Sequence, residues 1–245
     1  MPSGPEAIRR VARVMDIPWR SASYIAGLLR AGSDGRLWVP GGGGIRAQVQ
    51  PGHLVALLAG IAGSSLGTPA EACATVQLLL GLRRDVLTLT PEGKVMPVQV
   101  ETGEHEATPL GDILLPTLGA TLERLVDHLA GPMPEELRSD IGGTLSVELQ
   151  PGRMPTACVR FAEPGIGVFR CRYAAPELGD SLAPETALRR TVEIPGALLL
   201  ELGAIWADSQ SSLATRPVRS DVGLDAMPVP AWETEDAVLP WSGPL

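Results

Sequence analysis

GGTLSVELQPGRMPTACVRFAEPGIGVFRCRYAAP, residues 142–176, alternates apolar and polar side chains in three runs separated by the turn-forming stretches PGRMP and EPG. A period of two sends successive side chains to opposite faces of a strand, and connections this short fold consecutive strands back antiparallel. The stretch therefore predicts a three-stranded antiparallel sheet between about 143 and 175. Cys158 and Cys171 fall within these strands, where an inward thiol is the ordinary expectation. Downstream, TVEIPGALLLELGAIWADS (191–209) reads as a short extended run leading into a helix.

Upstream of the sheet the period changes to that of a helix. TPAEACATVQLLLGLRR (68–84) opens with Thr68 and Glu71 spaced as a capping box and carries Cys73, Val76, Leu79 and Leu80 as an apolar stripe. PLGDILLPTLGATLERLVDHLAG (109–131) repeats Leu114, Leu118, Leu122, Leu125 and Leu129 at helical spacing, with His128 expected on the exposed side. Residues 88–110 between them are polar and rich in Gly, Pro and Thr, the composition of a solvated loop. His105 lies there between Glu104 and Glu106 without a second group of ligands, so no metal site is expected. Helices packed on a small antiparallel sheet make an α+β body, assigned to residues 64–208. Its leucine-rich helices offer more apolar surface than a body of this size covers, so a homo-oligomer is expected.

With 245 residues, 44% of them hydrophobic, the chain has material for a sizeable core. Only two Phe and two Tyr are present, so aliphatic side chains must build most of it. Three widely spaced cysteines fit neither a disulfide framework nor a zinc site and suit the cytoplasm. The N-terminal residues lack the apolar run of a signal peptide, and ALLLELGAIWA (197–207), broken by Glu201, is too short to span a membrane. No membrane association is expected. HExxH and P-loop patterns are absent from the sequence, and no enzyme, catalytic residue or cofactor is expected.

The net charge of −8 is unevenly spread. Residues 1–62 hold seven Arg (Arg9, Arg10, Arg13, Arg20, Arg30, Arg36 and Arg46) against Glu6, Asp16 and Asp34, a net +4 that leaves −12 for the remainder. Such asymmetry points to contact with a polyanion through one segment. PEAIRRVARVMD (5–16) reads as a helix with Ile8, Val11, Ala12 and Met15 on one side and arginines on the other. After a break at IPWR, Ser21 stands as a cap for a second helix, SASYIAGLLRAG (21–32). Two short helices around a tight break outline a helix-turn-helix whose second helix presents Arg20, Ser21, Ser23 and Tyr24, with Arg30 farther along.

In RLWVPGGGGIRAQV (36–49), two short β-compatible arms flank four glycines and carry Arg36 and Arg46. That pattern fits a glycine-rich β-hairpin, or wing, with Trp38 on one arm and Gly42 and Gly43 able to approach a phosphodiester closely. No Lys–Ser/Thr pair follows the glycines and no βαβ unit surrounds them, which excludes a nucleotide-binding loop. A plain linker is the alternative. PGHLVALLAGIAG (51–63) reads as an amphipathic helix with His53 at its exposed start, closing a basic head over residues 1–63.

The series of SYIAGLLRAG, WVPGGGGIRAQV and PGHLVALLAGIA resembles the N-terminal segment of phage, prophage or gene-transfer-agent encoded helix-turn-helix DNA-binding proteins from GC-rich alphaproteobacteria. The resemblance covers about a quarter of the chain. It implies binding of double-stranded DNA in transcription regulation, with the second helix and the glycine hairpin as contacts. A small terminase-like packaging subunit, or a virion-associated structural protein without DNA readout, is the alternative.

Residues 209–245 lack periodicity and are rich in Pro and acid, which predicts an extended acidic tail. Within it, Trp232 and Trp241 bracket Glu233, Glu235 and Asp236, aromatic anchors with negative charge suited to a protein partner such as RNA polymerase or a packaging motor.

Overall fold

In the computed structural model, residues 4–33, 35–39, 48–63, 67–90, 98–99, 113–152, 154–163, 167–175 and 191–214 are described. In chain order they form helices α1 (Gly4–Val14), α2 (Trp19–Gly32), α3 (Pro51–Gly63) and α4 (Pro69–Leu80), then strands β1 (Arg83–Thr90) and β2 (Val98–Gln99). Helices α5 (Leu118–Leu129) and α6 (Glu135–Thr144) lead into β3 (Ser146–Gln150), β4 (Thr156–Glu163), β5 (Gly167–Ala174) and β6 (Val192–Pro195), and α7 (Gly196–Ala214) follows. The strands make one antiparallel sheet in the order β2-β1-β5-β4-β3-β6.

The three alternating runs form the expected hairpin series, and the sheet grows beyond them at both sides. Val147, Leu149, Ala157, Val159, Phe161, Phe169, Cys171, Tyr173 and Ile194 point inward and are buried. Phe161 and Phe169, both phenylalanines of the chain, are cross-strand partners stacked at 4.7 Å. Cys158 pairs with Arg172 and Glu148, so its thiol belongs to the outer face, contrary to the expectation of two inward cysteines. One residue separates the two faces, and the pairing register decides which one a side chain joins.

α5 and α7 pack on each other, and α3 packs against both. A buried polar node joins sheet and helix. Thr121 Oγ1 of α5 lies 2.7 Å from the Tyr173 hydroxyl of β5 and accepts from the Leu115 N–H at 2.8 Å. Gly203 of α7 sits where a Cβ would stand 2.7 Å from the Leu129 carbonyl carbon, so glycine permits the close α5–α7 crossing. The capping box of α4 is formed: the Glu71 N–H donates to Thr68 Oγ1 and the Thr68 N–H to Glu71 Oε2.

Several expected boundaries move. The helix expected over 68–84 ends at Leu80, and Arg83–Thr90, partly assigned to a loop, is a strand with a register shift between Arg84 and Val86. The helix expected from 109 begins at Leu118 behind Thr117, because Pro116 interrupts it and its backbone carbonyl accepts from Arg84. α6 was not anticipated, since Gly142 and Gly143 obscured its helical pattern. Of the apolar surface expected to exceed what the body covers, Leu79, Leu118, Leu122, Leu125 and Leu129 are buried within the fold, whereas Leu78 of α4 is exposed and Leu80 half-buried. His105 and its glutamate neighbours lie outside the described residues.

The chain divides into two compact units, Met1–Ala214 and Thr215–Leu245, the second lying outside the described residues. The boundary expected at residue 63 falls inside a continuous core, because α3 is buried from Leu54 to Ala62 and is not amphipathic. The boundary expected at 208 falls inside α7. Ser209, expected at the start of an extended tail, is buried in that helix, and its hydroxyl donates to the Val49 carbonyl at 3.4 Å.

At the start of α3 the Gln50 N–H donates to His53 Nδ1 at 3.0 Å, and burial holds this imidazole below its ordinary value. His53 is half-buried rather than fully exposed.

Two predictions follow from this packing. Gly203→Ala destabilises the protein by about 1–3 kcal/mol, and Gly143→Ala, which meets nothing within 4 Å, does not. Equal melting temperatures for the two variants would contradict the close crossing. Because His53 binds its proton less readily when folded, its contribution to stability is complete above the unfolded value of about 6.5 and is lost as pH falls through the lowered folded value. Denaturant titrations between pH 7.5 and 5 should show that loss, and His53→Gln, which keeps an acceptor at the same helix position, should flatten it.

Candidate nucleic-acid interface

The turn after α1 determines where α2 points. The Ile17 N–H donates to the Ala12 carbonyl at 3.0 Å and the Asp16 N–H to that of Arg13 at 3.2 Å, the paired bonds of a Schellman closure. Asp16 takes the left-handed conformation, φ 51°, a position glycine usually fills and aspartate tolerates. Pro18 holds Ile17 away from helical geometry and serves as N-cap of α2. Residues 15–18 thus connect two helices with the length of a helix-turn-helix turn.

α2 begins at Trp19, two residues before the expected cap. Ser21 therefore lies in the first turn, and no side chain caps the helix. Ala22, Ile25, Ala26 and Leu29 face the core. Trp19, 52% exposed, Arg20, Ser21 and Tyr24, 51% exposed, face outward, and Ser23 is half-buried at their border. Arg9 of α1 sits 6.0 Å from the centroid of the Trp19 ring, within cation–π range, and Arg13 is exposed one turn farther along α1. Two half-exposed aromatic rings and the exposed Arg9, Arg13 and Arg20 thus lie on the outer sides of two packed helices, with Arg9 against the Trp19 ring. Phosphates need such guanidinium groups, and base or sugar edges can pack on the rings.

Arg10 plays a different part. Its Nε lies 2.8 Å from Glu201 Oε1 and its Nη1 pairs with Asp208, so it ties α1 to α7. Burial alone would lower this guanidinium, but the hydrogen bonds and attraction from both carboxylates outweigh it. Glu6, Arg9, Arg10, Arg13 and Glu201 line an open depression beside this clamp.

The arms of the expected wing differ from the sequence reading. Residues 36–39 and 48–50 contain no strand, and Gly42, Gly43 and Arg46 lie outside the described residues. Arg36 is exposed. The Arg30 Nε donates to the Val39 carbonyl at 3.0 Å, which folds residues 35–39 back toward α2. Trp38 is fully buried, its ring edge-on to His53 at 6.3 Å, so it anchors this segment and presents no surface to DNA. Burying the large indole ring outweighs the cost of its Nε1–H, which is buried without a hydrogen-bond partner among the described residues. Trp232, Glu233, Glu235, Asp236 and Trp241 also lie outside the described residues.

Trp19 is an exposed aromatic of this surface that the sequence reading did not single out. Pro18 was the available signal: proline favours a helix start, and a start at Trp19 places Trp19, Arg20 and Tyr24 on one surface.

Among the described residues, no three His, Cys, Asp or Glu side chains gather as a metal site, and no helix is long and apolar enough to cross a membrane. Comparisons with protein-family models, curated proteins and solved structures find no match.

The left-handed turn is directly testable. Asp16→Val should cost about 1–2 kcal/mol, whereas Asp16→Gly should retain or slightly raise stability. Chemical denaturation that found both substitutions equally harmful would contradict the Schellman closure.

Proposed function

We propose that the chain binds double-stranded DNA through the outward surface of α1 and α2 and acts as a helix-turn-helix regulator, in a binding rather than a catalytic role. The observation that carries this reading is the grouping of Arg9, Arg13, Trp19, Arg20 and Tyr24 on two helices joined by a four-residue turn. α2 is the recognition element. Its first turns hold Arg20, Ser21 and Tyr24 toward the duplex, while Arg9 and Arg13 of α1 neutralise flanking phosphates. Arg36 adds charge beyond the far end of α2. Arg30, whose Nε is engaged by Val39, contributes less than the sequence suggested. In a chain of net charge −8, attraction to DNA depends on this local concentration of arginines and should weaken steeply with salt.

Anisotropy titrations of labelled duplex DNA at several salt concentrations test the reading. Arg9→Ala, Arg13→Ala and Arg20→Ala should each weaken binding and reduce the salt slope by roughly one phosphate contact. Trp19→Ala and Tyr24→Ala should weaken binding with little change in slope. Undiminished binding by a variant lacking all five side chains would overturn the assignment.

A further inference from the structure

The outer face of the sheet carries a divided charge pattern that the fold itself does not use. Cross-strand register aligns Val86, Arg172, Cys158, Glu148 and Glu193 in one row from β1 to β6, and Thr88, Arg170, Arg160, Ser146 and Pro195 in the next. The basic side chains therefore lie on β4 and β5, and the acidic ones on β3 and β6. Within one chain the matching is poor. Arg160 stands directly opposite Arg170, and Glu148 directly opposite Glu193, like-charge pairs that weaken a sheet. Among the described residues, the ion pair on this face joins Arg172 to Asp85 at 3.4 Å, with both side chains about half exposed.

We propose that this face is the interface of a two-fold dimer of the chain with itself. A two-fold axis running along the strands between β3 and β4 lays β4 of one copy over β3 of the other, and β5 over β6. Two sheets packed face to face in this aligned manner lie about 10 Å apart. Arg172 of one copy then faces Glu193 of the other, and Arg160 lies over Ser146, beside Glu148. Symmetry repeats each contact. A polyanion such as nucleic acid would satisfy only the basic half and be repelled by the acidic half, whereas a second copy matches both. Cys158 lies on β4 beside the axis in each copy and is half-buried on this face, while Cys73 and Cys171 are buried in the core. The dimer does not depend on the DNA reading and uses none of its residues.

Sedimentation velocity on the full chain provides the test, comparing the unsubstituted protein, Arg172→Glu, Glu193→Arg and an equimolar mixture of the two variants. The unsubstituted protein should be a dimer at micromolar concentration. Each variant alone sets like charges against each other at both symmetric contacts and should dimerise at least about 100-fold more weakly. Mixing them places opposite charges at those contacts and should restore a dimer. A short bis-maleimide should cross-link the unsubstituted dimer through Cys158, and Cys158→Ser should abolish the cross-link. A monomeric unsubstituted protein, a dimer that survives both single substitutions, variants that stay monomeric when mixed, or cross-linking that persists in Cys158→Ser would each overturn the proposal.

Discussion

α3 has no solvent side. From Leu54 to Ala62 every residue is buried, and a helix that is apolar all round requires neighbours all round. α2, α4, α5 and α7 supply them. Full burial of a large aliphatic side chain contributes about 1.5–3 kcal/mol, and Leu54, Val55, Leu57, Leu58 and Ile61 together contribute on the order of the whole net stability of a domain. The N-terminal helices cannot leave the body without exposing that surface. This is why a segment that reads as a separate basic head is instead the outer layer of one continuous core.

The same constraint shapes the candidate interface. α1 is fixed at one end by the Asp16 turn and along its length by Arg10, which spends its charge on Glu201 and Asp208. α2 is fixed by α3 beneath it and by the return of residues 35–39, pinned through Arg30 and the buried Trp38. What remains outward is a surface of Arg9, Arg13, Trp19, Arg20 and Tyr24 held by rigid elements. Contacts mounted this way lose little conformational entropy on binding, which favours a surface that docks largely preformed.

Much of the architecture was legible where pattern and environment agree. Each strand of the 142–176 series has one buried face, so its alternation shows directly in the sequence. Thr68 and Glu71 formed their box because capping is a local interaction that needs no distant partner. Reading failed where tertiary contact outweighs local signal. The LTLT alternation in β1 was present, but the preceding LLLGLRR run looked like a continuing helix, and only pairing with β5 makes it a strand. α3 looked amphipathic because a helix buried on every side and one buried on a single side both begin as aliphatic runs. Trp38 was placed on an exposed arm because glycines follow it, whereas its size makes it an anchor. On the candidate surface, the outward placement of Arg20, Ser21 and Tyr24 could be read from helical spacing. That of Trp19 could not, once the helix was started two residues late.

Native-state hydrogen exchange tests the single-core account most directly. The amides of Leu54–Ala62 in α3 should exchange only through the same global opening as the inner strands β3, β4 and β5, with matching free energy and matching denaturant dependence. If α1–α3 instead opened as a smaller unit at distinctly lower free energy while the sheet stayed protected, the N-terminal helices would be an independent head, and the account of a face built onto one continuous core would be contradicted.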